Sequence, residues 1–178
     1  AILENINANP NNNILTTLTT LAYQDNTENG RENIARAIAN IATTQAGITA
    51  LIENGGIEVL THLAGQDNTG YGLIWIASAI VMISISLAGR DALIANRNVI
   101  NTLNNLAREV NSERGVVYIV EAIENIANSD EGRDALIENG NVIKTLNTLA
   151  RKAHSDAEQE CIARTKKRLQ PNQYCTVS

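Results

Sequence analysis

Three near-copies of one phrase recur along the chain: Ala50-Leu51-Ile52-Glu53-Asn54-Gly55-Gly56-Ile57, Ala92-Leu93-Ile94-Ala95-Asn96-Arg97-Asn98-Val99 and Ala135-Leu136-Ile137-Glu138-Asn139-Gly140-Asn141-Val142. Each leads into a segment closed by Leu-Ala, and those pairs fall at Leu21-Ala22, Leu63-Ala64, Leu106-Ala107 and Leu149-Ala150, in steps of 42, 43 and 43 residues. A period near 40 points to a helical solenoid of helix-pair or helix-triplet units. Such units stack one-dimensionally, each burying its apolar side against its neighbours, and the curvature of the stack creates an elongated concave surface suited to holding other macromolecules.

The 178 residues are 44% hydrophobic, with no Phe and only 3% aromatic residues. The core must therefore be packed by Ile, Leu, Val and Ala, which suits close-stacked helices better than a strand-rich sandwich. An array has one continuous core, so residues 1–170 are expected to form one repeat domain, with a tail at 171–178. The run from Leu73 to Leu87 is apolar on most sides but carries Ser78, Ser84 and Ser86 and is too short to span a membrane. It reads as a central helix buried by neighbouring repeats. The net charge of -5 argues against broad phosphate-backbone contact, so no nucleic-acid partner is expected. Cys161 and Cys175, the only cysteines, lack metal-ligand spacing, and neither a metal nor a cofactor is expected. The absence of glycosylation sequons and of a leader pattern favours a reducing intracellular compartment: the cytoplasm, with the nucleus as the alternative.

In the last full unit, Ser129-Asp130 precedes a short helix through Ile137, Asn139-Gly140 ends it, and Val142, Ile143, Leu146 and Leu149 follow at helical spacing. In the unit before, Val116, Val117, Val120, Ile123 and Ile126 mark a third helix, with Ala122 and Ala127 allowing close approach between repeats. This unit resembles an armadillo repeat, whose third helix carries a signature of the form Ala-Leu-x-Asn-Leu-Ala. The chain has Ala37-Ile38-Ala39-Asn40-Ile41-Ala42 and Ala122-Ile123-Glu124-Asn125-Ile126-Ala127, with a weaker copy at Ala79-Ile80-Val81-Met82-Ile83-Ser84. HEAT repeats, as helix pairs, do not explain the short Asn-Gly-terminated helix. The expected fold class is thus all-α: a right-handed α-solenoid of about four armadillo-type three-helix repeats, the N-terminal one incomplete. Ala1 to Asn5 resembles a first helix without a cap, whereas Lys166 stands at an expected apolar position and points to a C-terminal capping repeat.

The resemblance implies that the third helices line the groove and that the signature Asn bonds the backbone of an extended peptide. Aligning the units puts four trios in register at spacing i, i+3, i+7: Asn33, Arg36, Asn40; Trp75, Ser78, Met82; Tyr118, Glu121, Asn125; and Cys161, Arg164, Arg168. The family's nuclear-import adaptors carry a Trp four residues before the Asn, forming slots for basic side chains. Here those positions hold Arg36, Ser78, Glu121 and Arg164, which argues against a basic import signal bound by the usual array. Plainer readings stand beside these: Trp75 as core, Asn40 and Asn125 as bridges between helices, and Arg164 to Arg168 as a solvated cap.

The expected function is a protein-interaction scaffold, not an enzyme, binding an extended or helical peptide with acidic residues toward Arg164 and Arg168. His62 and His154 have no catalytic neighbours at useful spacing, and Gly70-Tyr71-Gly72 lacks the context of a nucleotide fingerprint. Cys175-Thr176-Val177-Ser178 matches a prenylation pattern, so farnesylation at Cys175 is an option if Ser178 is the native terminus. A different class of reading is a structural self-assembly segment associating through an apolar N-terminal face that includes Leu18 and Leu21.

Overall fold

A computed structural model of the chain describes residues 10–24, 27–66 and 68–170. Among these lie eleven helices and no strand: α1 (Pro10–Ala22), α2 (Glu28–Ile41), α3 (Gln45–Glu53), α4 (Gly56–Ala64), α5 (Gly70–Ile85), α6 (Leu87–Ala95), α7 (Asn98–Glu109), α8 (Glu113–Ile126), α9 (Asp130–Glu138), α10 (Val142–Lys152) and α11 (Asp156–Leu169). They form three parallel stacks. The first helices α3, α6 and α9 pack in succession, as do the second helices α1, α4, α7 and α10 and the third helices α2, α5, α8 and α11. The all-α repeat architecture expected from the period is the one found. Ala1 to Asn5 and the tail carrying Cys175 lie outside the described residues.

The helices start where small hydroxyls recur. The amides of Gly30, Gly47, Gly72, Gly89, Gly115 and Gly132 donate to the side-chain oxygens of Thr27, Thr44, Thr69, Ser86, Ser112 and Ser129 at 2.9–3.2 Å, each residue three positions upstream. These are N-caps satisfying one orphan amide apiece. At the start of each first helix the glycine is also a matter of space. A Cβ on Gly47, Gly89 or Gly132 would stand 1.8, 1.9 or 1.9 Å from the carbonyl oxygen of Ile41, Ile83 or Ile126. The third helix of one repeat thus abuts the first helix of the next, backbone against backbone.

Between first and second helices, Gly55 and Gly140 take φ of 73°, the left-handed turn expected after Asn54 and Asn139. The middle copy turns differently: Asn96 is extended and Arg97 is right-handed, so Asn-Arg replaces Asn-Gly without a positive φ. The asparagine of the phrase also has a role its spacing does not show. Asn96 Nδ2 donates to Glu58 Oε1 at 3.1 Å, and Asn139 Nδ2 donates to Asn101 Oδ1 at 3.1 Å, each reaching the second helix of the preceding repeat. Asn139 Oδ1 accepts from Asn104 Nδ2 at 3.0 Å, and Asn104 Oδ1 takes the Thr145 hydroxyl at 2.5 Å. This partly buried chain of side-chain hydrogen bonds ties the third repeat to the fourth alongside their apolar contact.

The core is aliphatic and continuous, with Ile38, Leu51, Leu60, Leu63, Ile76, Ile80, Leu103, Leu106, Ile119 and Ile123 fully buried. The central helix α5 is enclosed by α2 and α8 and buries residues on nearly every side. No helix among the described residues is long and apolar enough to cross a membrane. On the last third helix, Gln159, Ala163 and Lys166 occupy the places of the buried Val116, Val120 and Ile123, so that face is more polar. The second helices do not follow suit: Ile57 and Ile100 are 4% and 7% exposed, but Ile143 is 44% exposed.

Candidate functional site

The surface presented by α2, α5, α8 and α11 changes character along the stack. On α2, Asn33, Arg36 and Asn40 are all exposed, and the Arg36 guanidinium donates to Asn33 Oδ1 at 2.7 Å. On α5, Trp75 and Met82 are half-buried: each rests against the core and keeps part of its surface open. Tyr118 on α8 sits in the same way, which places three large adaptable side chains on adjacent third helices.

Ser78, expected on this surface, is only 6% exposed. It lies between Trp75 and Met82 at i-3 and i+4, and a serine hydroxymethyl is too short to emerge between two such side chains. Ser78 is therefore part of the interior. Asn125 is half-buried and donates through Nδ2 to Ser84 Oγ at 3.0 Å, while the Ser84 hydroxyl donates to the Val81 carbonyl at 2.7 Å. The signature asparagine thus bridges α8 to α5, with its remaining amide hydrogen and its carbonyl oxygen left for other partners.

The basic end is paired internally. Arg164 donates through Nε and Nη2 to the two oxygens of Glu124 at 2.8 and 3.1 Å, a bidentate fork. Arg168 lies 3.8 Å from the same carboxylate and also hydrogen-bonds Asn128. One α8 carboxylate thus engages both arginines of the basic patch read in the sequence, which stay partly exposed beside it. The Arg164 guanidinium in turn holds the Glu124 carboxyl below the usual carboxylate range, against the opposing pull of burial. Glu121 behaves oppositely: burial, and then the charge of Glu124, push its carboxyl up. Burial likewise raises the Cys161 thiol, with Glu124 adding to the effect.

Glu124 was visible in the sequence only as the variable residue of the signature, where the other copies carry Ala39 and Val81. Its sign, opposite to the arginines one repeat later, was the available clue. No group of three His, Cys, Asp or Glu residues suited to a metal ion occurs among the described residues.

No protein-family model matches the sequence, and no curated protein matches it. Solved structures do. The designed armadillo repeat protein YIII(Dq)4CqI is 26% identical with a TM-score of 0.73, the match covering 88% of this chain and 64% of the other. The designed armadillo repeat protein YIII(Dq.V1)4CPAF, in complex with peptide (KR)4, is 26% identical with a TM-score of 0.74, covering 89% of this chain and 65% of that one. An engineered protein at 20% identity, with a TM-score of 0.61, covers 85% of this chain and 69% of its own, and it bears on the fold alone. The chain spans just under two thirds of the length of the two designed armadillo proteins. It has an armadillo-like repeat fold, an architecture typical of non-enzymatic scaffolds.

Proposed function

We propose that the chain is an intracellular protein-interaction scaffold, not an enzyme, that binds a peptide segment along the surface of its third helices. The observation that carries this reading is the row of half-buried Trp75, Met82 and Tyr118, packed against the core yet partly open. Anchors of this kind dominate interface energetics. The solenoid supplies the elongated concavity, and Asn40 and the uncommitted groups of Asn125 supply backbone contacts to an extended ligand. A structural neighbour with this architecture carries a bound peptide, which supports the same use here. An acidic ligand segment at the last repeat is not retained, because Arg164 and Arg168 already face Glu124.

The test is selection from a displayed peptide library on the immobilised chain, followed by affinity measurement of the selected peptides. Tyr118→Ala with Trp75→Ala should weaken them by about tenfold or more, roughly 1.4 kcal/mol. Selected peptides that bind the double variant unchanged would place their site elsewhere. Self-association is the second reading, favoured by the exposure of Ile143 where Ile57 and Ile100 are covered. Sedimentation of the wild-type chain and of Ile143→Lys across a concentration series decides it: a concentration-independent monomer counts against it.

A further inference from the structure

Asparagine followed by glycine occurs three times, at Asn29-Gly30, Asn54-Gly55 and Asn139-Gly140. Such a pair carries a latent reaction. The backbone nitrogen of the glycine can attack the side-chain amide carbon of the asparagine, and the missing Cβ leaves the approach unobstructed. The attack needs that nitrogen released from hydrogen bonding and the asparagine ψ free to turn, so local structure decides which pair is open to it.

Two of the pairs are held closed. Gly30 lies in the first turn of α2, where its amide donates to Thr27 Oγ1 at 3.1 Å. The Gly140 amide donates to the Ile137 carbonyl at 2.8 Å, and Asn139 is right-handed, with φ of -62° and ψ of -21°. The side-chain amide of Asn139 is also gripped from both sides, by Asn101 and Asn104. Gly55 shares the φ of 73° with Gly140, yet its own amide makes no hydrogen bond among the described residues. Asn54, with φ of -114° and ψ of 20°, stands outside the helical region.

We propose that Asn54-Gly55 is a site of spontaneous covalent modification, the pair that the fold leaves reactive while it protects the other two. The Gly55 nitrogen gives up its proton to solvent and bonds to Asn54 Cγ. The Cγ–Nδ2 bond breaks, ammonia leaves with a proton returned by solvent, and a cyclic imide remains. Water then opens the ring. Opening at the side-chain carbonyl gives aspartate at position 54, and opening at the backbone carbonyl gives an isoaspartyl linkage that adds a methylene to the main chain. Nothing is oxidised or reduced. Either product loses the Nδ2 donor that now meets the Ala50 carbonyl at 2.7 Å. Each also brings a negative charge to the negative end of the α3 dipole, in a turn flanked by Glu53 and Glu58. The turn joining α3 to α4 therefore loosens with age, and the matching turn between α9 and α10 does not.

The test incubates the full chain in mildly alkaline buffer at physiological temperature and follows conversion of amide to acid at every asparagine by mass spectrometry of proteolytic fragments. In the folded chain Asn54 should convert about tenfold faster than Asn29 or Asn139, the ratio expected when the slower sites must first give up a hydrogen bond or two. In concentrated urea the three should converge to within about twofold, since the unfolded chain offers each the same neighbour. Asn54→Asp, the direct product, should unfold at a lower Tm than wild type, and the aged chain should move toward it in proportion to conversion. Fastest conversion at any other asparagine, or the same ratio in urea as in the folded chain, would overturn the assignment to this turn. Equal Tm values for Asn54→Asp and wild type would overturn the loosening.

Discussion

The passage from α7 into α8 and the passage from α10 into α11 are the same junction one repeat apart, built by opposite means. The first is closed by apolar fit: Val110 is buried against a glycine that leaves it room, and α8 is covered in turn by α11. The second is closed by polar bonding, Glu158 completing a capping box with Ser155, while Lys152 beside it reaches back to the first and donates to the carbonyls of Arg108 and Val110 at 2.5 and 2.6 Å. Both helices satisfy an N-terminal amide through a serine cap, but only α11 adds the reciprocal carboxylate. Val110 is replaced by Ala153 and Gly115 by Glu158 between the two junctions.

The strongest way to break this comparison is to move the α11 residue into the α8 junction. Gly115→Glu should destabilise the fold by about 3 kcal/mol, because its Cβ meets Val110 and the side chain has no prepared partners. Val110→Ala alone should cost about 1–2 kcal/mol from lost packing. If the two positions are coupled as the repeats suggest, the double variant will be more stable than the sum predicts, by about 1 kcal/mol in a urea double-mutant cycle. Strict additivity would show that the pairing of Ala153 with Glu158 is incidental.

A smaller effect, of about 1 kcal/mol, is expected from Glu158→Gln, which keeps the capping geometry but removes the charge. Burial pulls the Glu158 carboxyl upward, but the amides of His154 and Ser155 and the Ser155 hydroxyl outweigh it and leave the group below its ordinary value. A carboxylate lowered in the folded state stabilises the fold above its unfolded pKa and loses that contribution as pH falls through the folded value. The gap between wild type and Glu158→Gln in chemical unfolding should therefore be present at neutral pH and close under acid. A gap that persists unchanged at low pH would mean that shape, not charge, distinguishes this junction.

The sequence disclosed what depends on periodicity and hid what depends on pairs. The period, the Asn-Gly turns and the spaced leucines were sufficient for three stacks of helices, because each rests on one residue type repeating at a fixed interval. The half-buried row of Trp75, Met82 and Tyr118 on adjacent third helices was legible for the same reason. Ser78 was misplaced because register gives direction but not reach, and its two large flanking residues close over it. The pairing of Arg164 and Arg168 was hidden because their partners, Glu124 on α8 and Asn128 in the turn after it, lie 40 positions away in sequence. Read in register against Gly115, Glu158 was the detectable anomaly: a charged residue where the array otherwise uses glycine.

The least energetic prediction concerns that arginine pair, where the comparison between internal and terminal helices is also sharpest in charge. α5 meets α8 through apolar contact and one amide-to-hydroxyl bond, whereas α8 and α11 add the Glu124 fork to their apolar contact. Exposed ion pairs gain little over hydration and are screened by salt. Arg164→Ala should therefore shift unfolding less than either junction variant, and the shift should diminish further at high ionic strength. Its clearer signature is electrostatic: without the guanidinium the Glu124 carboxyl should rise toward its ordinary value, since Arg164 is the main influence holding it down. Titration of the Glu124 side chain by carbon-detected NMR in wild type and Arg164→Ala reads this directly. An unmoved Glu124 would mean that the fork is not populated in solution, and the basic face of α11 would then be open to an acidic ligand after all.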